Sequence, residues 1–491
     1  MLKYSITAHD SAQFARLSGD FNPLHVDPIA ARRLQFGGTI CHGVHLVLKA
    51  LDLATASGLL KPAQIETIGA VFGGSVHTGS PVAIDFICEP GSHRARLAAT
   101  SDGRAVFNVK LTLVDRPQDA QPVADRLPDF SEAAEPSEPL SPAFPTPATL
   151  ASSASQVALR ANAELLKELL PSLADDSHAC QLTADLLATT CIVGMRCPGL
   201  HSIYSEFKLR RREFESTGAA RQMTFSVERA DPRFRSVRLA VAGARLVGTL
   251  DAFFRAPPVA QPLLSDLQTR VDRSRFQGQH ALVVGGSRGL GELVVKILLA
   301  GGAKVTLTYA RGQNDAERIQ QEAAAWGSQV ESLRLDASRP LPEATVRRLE
   351  TLPLTHLYYF ATPQISKNPG TSWSQSLFDS FCQLYVHGFA ALVDAASQKS
   401  SAGNVLQALY PSTVFLDRPQ SGFAEYCAAK AAGESLCDHL ALRPGLVVHK
   451  PRLPRLQTDQ NSSFMGVEGA EPFPVMLRLL ESLQPTRVPL N

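Results

Sequence analysis

Residues 18–28 read Ser-Gly-Asp-Phe-Asn-Pro-Leu-His-Val-Asp-Pro. The stretch places Asp20 and His25 on one short polar loop between two helix-like segments. A carboxylate and an imidazole that close can share one water molecule, the carboxylate orienting it and the imidazole moving its proton. His42-Gly43 follows, and Gly43 opens the apolar run Val44-His45-Leu46-Val47-Leu48-Lys49-Ala50-Leu51. A backbone N–H at such a helix start is a ready donor to a carbonyl oxygen that gains negative charge.

Water activation beside carbonyl polarisation is what adding water to an acyl thioester, or removing it, requires. The arrangement resembles the MaoC-like (R)-specific enoyl-thioester hydratases and dehydratases. That resemblance covers about residues 1–115 and implies the hot-dog fold. It puts Asp20 and His25 in the place of the acid/base pair and the Gly43 amide in that of the oxyanion donor. The run Phe72-Gly73-Gly74-Ser75-Val76-His77-Thr78-Gly79 is similar to the family's strand-and-turn signature, with Ser80 where an Asp is usual.

At 491 residues the chain is too long for one ordinary domain. A hydrophobic fraction of 44% supplies sizeable cores. A net charge of +2 argues against a general nucleic-acid binder, and the one tight basic cluster, Arg210-Arg211-Arg212, reads as a solvated strand or turn. The eight cysteines show no Cys-x-x-Cys spacing, and several lie in apolar context, which fits a reducing compartment. The N-terminal residues lack a signal-peptide apolar core, and no apolar stretch reaches membrane-spanning length. The expectation is a soluble, cytoplasmic protein that touches neither nucleic acid nor membrane.

Between Arg116 and Leu150 prolines alternate with Ala, Ser, Glu and Asp, the composition of a semi-extended linker. Pro257-Pro258 and Pro262 punctuate the chain again. The expected layout is 1–115, a linker over 116–149, 150–256 and 275–491. In the middle block a helical stretch, Leu182 to Met195, precedes alternating strands such as Tyr204–Leu209 and Ser236–Val241. One apolar helix and then strands is again the hot-dog order, without a counterpart of the Asp20/His25 loop. The block therefore reads as a structural, non-catalytic second copy completing a pseudo-dimer, with His201 and Ser202 as candidates for lining a thioester pocket.

The last block opens with the buried-strand pattern His280-Ala281-Leu282-Val283-Val284, running into Gly285-Gly286-Ser287-Arg288-Gly289-Leu290-Gly291 and a helix over Glu292 to Ala300. A strand, a glycine turn and a helix let backbone amides approach a pyrophosphate. After the next strand stands Arg311; with Arg288 it suits a 2′-phosphate better than free ribose hydroxyls, which favours NADP(H). Tyr426-Cys427-Ala428-Ala429-Lys430 puts tyrosine and lysine on one helix face, where the ammonium is expected to depress the phenol's pKa and make it a proton donor. Ser412 and Thr413, at a strand end, are placed to hold a substrate carbonyl.

A glycine turn followed 141 residues later by this pair resembles the short-chain dehydrogenase/reductases, in their ketoacyl-reductase branch, over about residues 278–460. The resemblance implies an α/β Rossmann-type doubly wound domain, with Asp336 contacting the adenine and the backbone at Ala361 contacting the cofactor. Three departures stand out. Phe360-Ala361-Thr362-Pro363 replaces the family's Asn-Asn-Ala-Gly, Tyr385 replaces the tetrad asparagine, and Pro451-Arg452-Leu453-Pro454 replaces a Pro-Gly loop.

Together the resemblances imply a bifunctional enzyme of acyl-CoA or acyl-carrier-protein thioesters, self-associating through its hot-dogs and reductase helices. It would reduce 3-oxoacyl groups and interconvert (R)-3-hydroxyacyl with trans-2-enoyl groups. The alternatives are a reductase whose hot-dog part only binds acyl groups, and a non-enzymatic assembly protein.

Overall fold

The computed structural model describes residues 2–34, 36–88, 92–115, 154–212, 222–267, 269–365, 372–398, 405–459, 462–463, 466–467 and 469–483. The linker expected at 116–149 lies outside them. The chain forms two compact units, Met1–Pro257 and Pro258–Asn491.

In the first unit Thr7 caps the helix Ala8–Ser18 through a reciprocal box with Asp10, and Gly19, at φ +77°, ends it. The chain then restarts twice by one device. Asn22 caps Pro23–Val26 and Asp27 caps Pro28–Ala31, each followed by a proline at the first helical position. Repeated side-chain capping turns the stretch back on itself; Asp20 stays in the loop, whereas His25, expected on the same loop, falls inside the short helix Pro23–Val26. The strands of this half are β1 (Leu2–Ser5), which precedes these helices, and β2 (Ile65–Phe72), β3 (Pro81–Cys88), β4 (Arg94–Ser101) and β5 (Arg104–Leu113), which follow them. They pack with the largely buried helix Gly43–Ala56 in one core, the hot-dog arrangement expected.

A second set repeats the sequence of elements: β6 (Ala154–Ala158), the helix Ser177–Cys191, then β7 (Ser202–Arg211), β8 (Gln222–Asp231), β9 (Ser236–Ala242) and β10 (Leu246–Phe254). The ten strands form one sheet in the order β1-β3-β4-β5-β2-β7-β10-β9-β8-β6. Read outward from the antiparallel β2–β7 seam, where Thr67 faces Arg210 and Val71 faces Glu206, each side runs second, fifth, fourth, third, first of its own set. Polar ties join the sets: Lys49 Nζ donates to the Leu169 carbonyl at 2.7 Å, and buried Asp52 accepts from the Ser172 and Leu173 amides at 2.8 and 3.1 Å. The helix expected over 182–195 runs instead from Ser177 to Cys191 and opens into a π-helical turn, Ile192–Arg196.

The second unit starts earlier than expected. Leu264, Leu267 and Val271 belong to its core, and Lys296 Nζ donates to the Pro262 carbonyl at 2.9 Å, so residues 258–274 are not a free connection. Its sheet is parallel, built from β11 (His280–Val284), β12 (Lys304–Tyr309), β13 (Val330–Arg334), β14 (His356–Tyr359), β15 (Leu406–Leu409) and, after the two-residue β16 (Ser412–Thr413), β17 (Leu446–His449). The order β13-β12-β11-β14-β15-β17 reverses direction between β11 and β14. Ala281 and Val283 enter one core and Leu282 and Val284 another, so helices cover both faces. Ligands of such sheets bind at the carboxyl ends of the two strands flanking the reversal. Gly285 and Ala361 lie there.

Candidate active sites

Asp20 is 1% exposed. Its carboxylate accepts from the Thr190 hydroxyl at 2.7 Å and from the Asn22 amide at 3.2 Å. His25 donates through Nδ1 to the Ile40 carbonyl at 2.8 Å, which leaves its Nε2 lone pair as the base. His42 stacks on His25 at 3.9 Å and gives its Nε2–H to the Asp20 carbonyl at 3.0 Å. A carboxylate oxygen of Asp20 and one nitrogen of each imidazole lie within 4.8 Å of one another. Because His42 Nε2 and His25 Nδ1 are committed to carbonyl oxygens, the set suits a proton relay better than a metal. Burial pushes the Asp20 carboxyl up, against the opposing pull of His25. Burial, and then the neighbouring His42, push His25 down to about 3. A neutral imidazole therefore faces a carboxyl whose proton affinity is raised by burial. Gly43 begins its helix as expected, with no side chain capping the first amides.

Much of this site comes from the second set of strands and its helix. Thr190 stands near the end of the helix Ser177–Cys191. Gly194, in the π-helical turn, packs so closely that a Cβ there would lie 2.3 Å from an Asp20 carboxylate oxygen. Asn22 Nδ2 donates to the carbonyls of Gly194 and Leu200, both at 3.2 Å. Arg255 Nη2 donates to the same Leu200 carbonyl at 2.6 Å. The second half, expected as a structural partner, thus holds the Asp20 carboxylate directly through Thr190. His201 and Ser202 fall at the start of β7, beside Arg255, whose amide donates to the His201 carbonyl at 2.8 Å.

In the second unit Tyr426 and Lys430 share the helix Ala424–Leu440. Lys430 Nζ donates to the Pro411 carbonyl at 2.7 Å and stands 3.8 Å from the Tyr385 ring centroid and 4.7 Å from that of Tyr410. Tyr385 lies in a π-helical turn, Gln383–Gly388, and its hydroxyl shares a 2.5 Å hydrogen bond with Thr362. So the residue replacing the family's asparagine meets the lysine with its ring. The Tyr426 hydroxyl pairs with Thr413, while Ser412 donates to Glu434, itself gripped by Arg452. Of the two candidate hydroxyls, Thr413 is the one beside the phenol.

One electrostatic expectation is overturned. Burial raises the Tyr426 phenol to about 12 despite its Thr413 hydrogen bond, and burial lowers Lys430 to about 7. Desolvation dominates the phenol's shift, with the Thr413 hydrogen bond opposing it.

The dinucleotide residues are arranged as a cradle. Gly285, at φ +75°, comes so near the next strand end that a Cβ would lie 2.9 Å from the Ala361 amide nitrogen. The helix begins at Gly289, three residues earlier than expected, and its Arg288 carbonyl accepts from the Glu292 amide. Ser287, Gly289, Leu290 and Gly291 thus line the helix start. Burial pushes Asp336 up, but its Ser338 hydrogen bonds, with Arg339 and Arg311 nearby, outweigh this and hold it below the ordinary carboxyl range. Arg288 is engaged by the buried Asp459 carboxylate at 3.3 Å. That pairing was not expected; it puts a carboxylate beside the helix start that a phosphate would use.

Residues 2–97 match the MaoC like domain family and residues 279–444 the short chain dehydrogenase family. The 3-hydroxybutyryl-CoA dehydratase of Methylorubrum extorquens is 31% identical over 140 residues, 26% of this chain and 85% of that protein. The chain carries a MaoC-like domain followed by a short-chain dehydrogenase domain. The cyclic-di-GMP-binding biofilm dispersal mediator protein of Escherichia coli is 29% identical over 175 residues, 34% of this chain and 67% of that protein. The peroxisomal hydratase-dehydrogenase-epimerase of Saccharomyces cerevisiae is 39% identical over 69 residues, 14% of this chain and 8% of that protein. A short chain dehydrogenase from Burkholderia cenocepacia, solved in complex with NADP, is 22% identical, covers 44% of this chain and 95% of its own, and superposes with a TM-score of 0.37. Among the described residues of this MaoC-like fusion, no helix is long and apolar enough to cross a membrane.

Sequence reasoning missed Thr190, Gly194, Arg255 and Asp459. The polar break Thr189-Thr190 in an otherwise apolar helix was the available signal for the first. No local pattern marks the others.

Proposed function

We propose that the protein is a bifunctional acyl-thioester enzyme: it interconverts 3-oxoacyl and (R)-3-hydroxyacyl groups in its second unit, and (R)-3-hydroxyacyl and trans-2-enoyl groups in its first. The observation that carries the reading is the buried cluster of Asp20 and His25 with His42, the residue before the Gly43 helix: a neutral imidazole beside a carboxyl whose proton affinity is raised by burial. In dehydration His25 Nε2 takes the C2 proton while Asp20 gives its proton to the 3-hydroxyl, which leaves as water. The proton on His25 then returns to Asp20 through that water. The Gly43 amide donates to the thioester oxygen as it gains charge. Residues 1–115 and 150–256 are read as two hot-dog copies in one pseudo-dimer, the second supplying position rather than acid or base.

In the second unit Tyr426 gives its proton to the substrate's 3-oxo oxygen, with the Thr413 hydroxyl alongside. Lys430 holds a positive charge below the phenol. The cradle of Gly285 to Gly291 with Ala361 fits a dinucleotide, and Arg311 beside Asp336 fits a 2′-phosphate. NADPH, bound there, supplies hydride to C3. Coenzyme A or an acyl carrier protein carries the thioester; neither unit needs a metal in this scheme. The shared 3-hydroxyacyl species makes the two reactions consecutive.

The test is an assay with acetoacetyl-CoA and NADPH, and a second with crotonyl-CoA alone. Loss of absorbance is expected in both. Its absence from both, across acyl lengths and with carrier-protein substrates, sinks the reading.

A further inference from the structure

Arg255 follows directly on β10 and is 3% exposed. Of its guanidinium nitrogens, Nη2 donates to the Leu200 carbonyl, whereas Nε and Nη1 are buried without a partner among the described residues. None of the salt bridges between described residues reaches it. A buried cation without a counter-anion is unfavourable, so such a group persists where a ligand supplies the missing anion. Its position is beside the acid/base pair. The Leu200 carbonyl it grips also accepts from Asn22, two residues from Asp20, and its charge is felt at His25. His25 and His201, the imidazoles near it, are both neutral at pH 7, and Asp20 is already held by Thr190 and Asn22.

We infer that Arg255 is the receptor for a carboxylate carried on the acyl chain, so that the first unit takes dicarboxylic acyl thioesters. The inference rests on the hydratase/dehydratase reading of that unit and names its substrate class. The phosphates of coenzyme A or of a carrier arm stand a whole pantetheine length from the thioester carbon, too far out to meet a guanidinium beside the acid/base pair. Two unpartnered N–H groups match the two oxygens of a carboxylate.

The test uses saturated, unreactive thioesters, so that it does not depend on turnover. Binding of glutaryl-CoA and butyryl-CoA to the full chain is measured by calorimetry, for the wild type and for Arg255→Met. The wild type is expected to bind glutaryl-CoA at least tenfold more tightly, and Arg255→Met to erase that preference while leaving butyryl-CoA binding in place. Equal binding of the two thioesters by the wild type overturns the inference, whatever the variant does. So does an equal loss for both in Arg255→Met, which would put the guanidinium on the thioester oxygen. Hydration of crotonyl-CoA and glutaconyl-CoA is followed in parallel. A protein that prefers glutaryl-CoA through Arg255 yet hydrates neither keeps the receptor and refutes the hydratase reading instead.

Discussion

Asp20 sits among hydrogen-bond partners drawn from two halves of its unit, whereas Lys430 sits among aromatic rings. Thr190 and Asn22 fix the carboxylate, and Gly194 leaves it no room to move. The rings of Tyr385 and Tyr410 flank the ammonium, with one carbonyl, that of Pro411, accepting from it. Both arrangements exclude water and favour neutral forms, but they differ in what they tolerate. A hydrogen-bonded carboxylate depends on placement to within a fraction of an ångström; a ring face accepts a cation over a broader range.

The largest expected effects separate the two sites outright. Asp20→Asn or His25→Ala should lower enoyl-thioester hydration by about 10²–10⁴-fold and leave NADPH-dependent reduction unchanged, with Tyr426→Phe doing the reverse. Spectrophotometric rates on the same preparations decide it; a variant that silences both reactions would merge the two sites. Gly194→Ala comes next. The added methyl meets the Asp20 carboxylate, and hydration should fall about a hundredfold while reduction continues. Normal hydration in that variant would mean that the second half does not hold the carboxylate.

A smaller effect probes the aromatic side. Tyr385→Leu removes a ring face from a desolvated ammonium, worth about 2 kcal/mol or roughly thirtyfold in reduction. Lys430 is charged below about pH 7 and loses its proton above it, so reduction should decline as pH rises through 7. Without the ring the charged form is less favoured, and the decline should begin at lower pH. Tyr385→Phe keeps the ring and should keep the profile; an equal shift in both variants would assign the effect to the Thr362 hydrogen bond.

A separate effect is on stability rather than on rate. His25, His42 and His45 are held neutral by burial, His25 and His42 with folded values of about 3 and 4. Below pH 6.5 the unfolded chain takes up protons that the folded one refuses, so stability falls as pH drops. At pH 5 the loss is about 2 kcal/mol for each of His25 and His42, and His45 adds in the same direction. Thermal unfolding at pH 7 and pH 5 measures it, and replacing His45 with Phe should reduce the difference.

The legible parts of this protein were those written locally. The stretch holding Asp20 and His25, the glycine turn at Gly285 and the spacing of Tyr426 and Lys430 each fit within one or two turns of chain. The partners of Asp20 were not legible, because Thr190 and Gly194 are about 170 residues away and take their meaning from the seam between β2 and β7. Tyr385 was visible only as a departure; that its ring meets Lys430 depends on a π-helical turn that sequence spacing does not announce. The phenol's raised pKa was misjudged for a related reason. Spacing predicts which charges are near one another, while burial is a property of the whole fold.

The central claim is that one chain carries two consecutive steps on a shared hydroxyacyl thioester. Incubating a 3-oxoacyl thioester with NADPH and resolving the products by mass spectrometry tests it directly. The wild type should yield both 3-hydroxyacyl and 2-enoyl thioesters, and Asp20→Asn only the 3-hydroxyacyl product at an unchanged rate of NADPH consumption. An undiminished enoyl fraction in Asp20→Asn, or no NADPH consumption by the wild type, would contradict it.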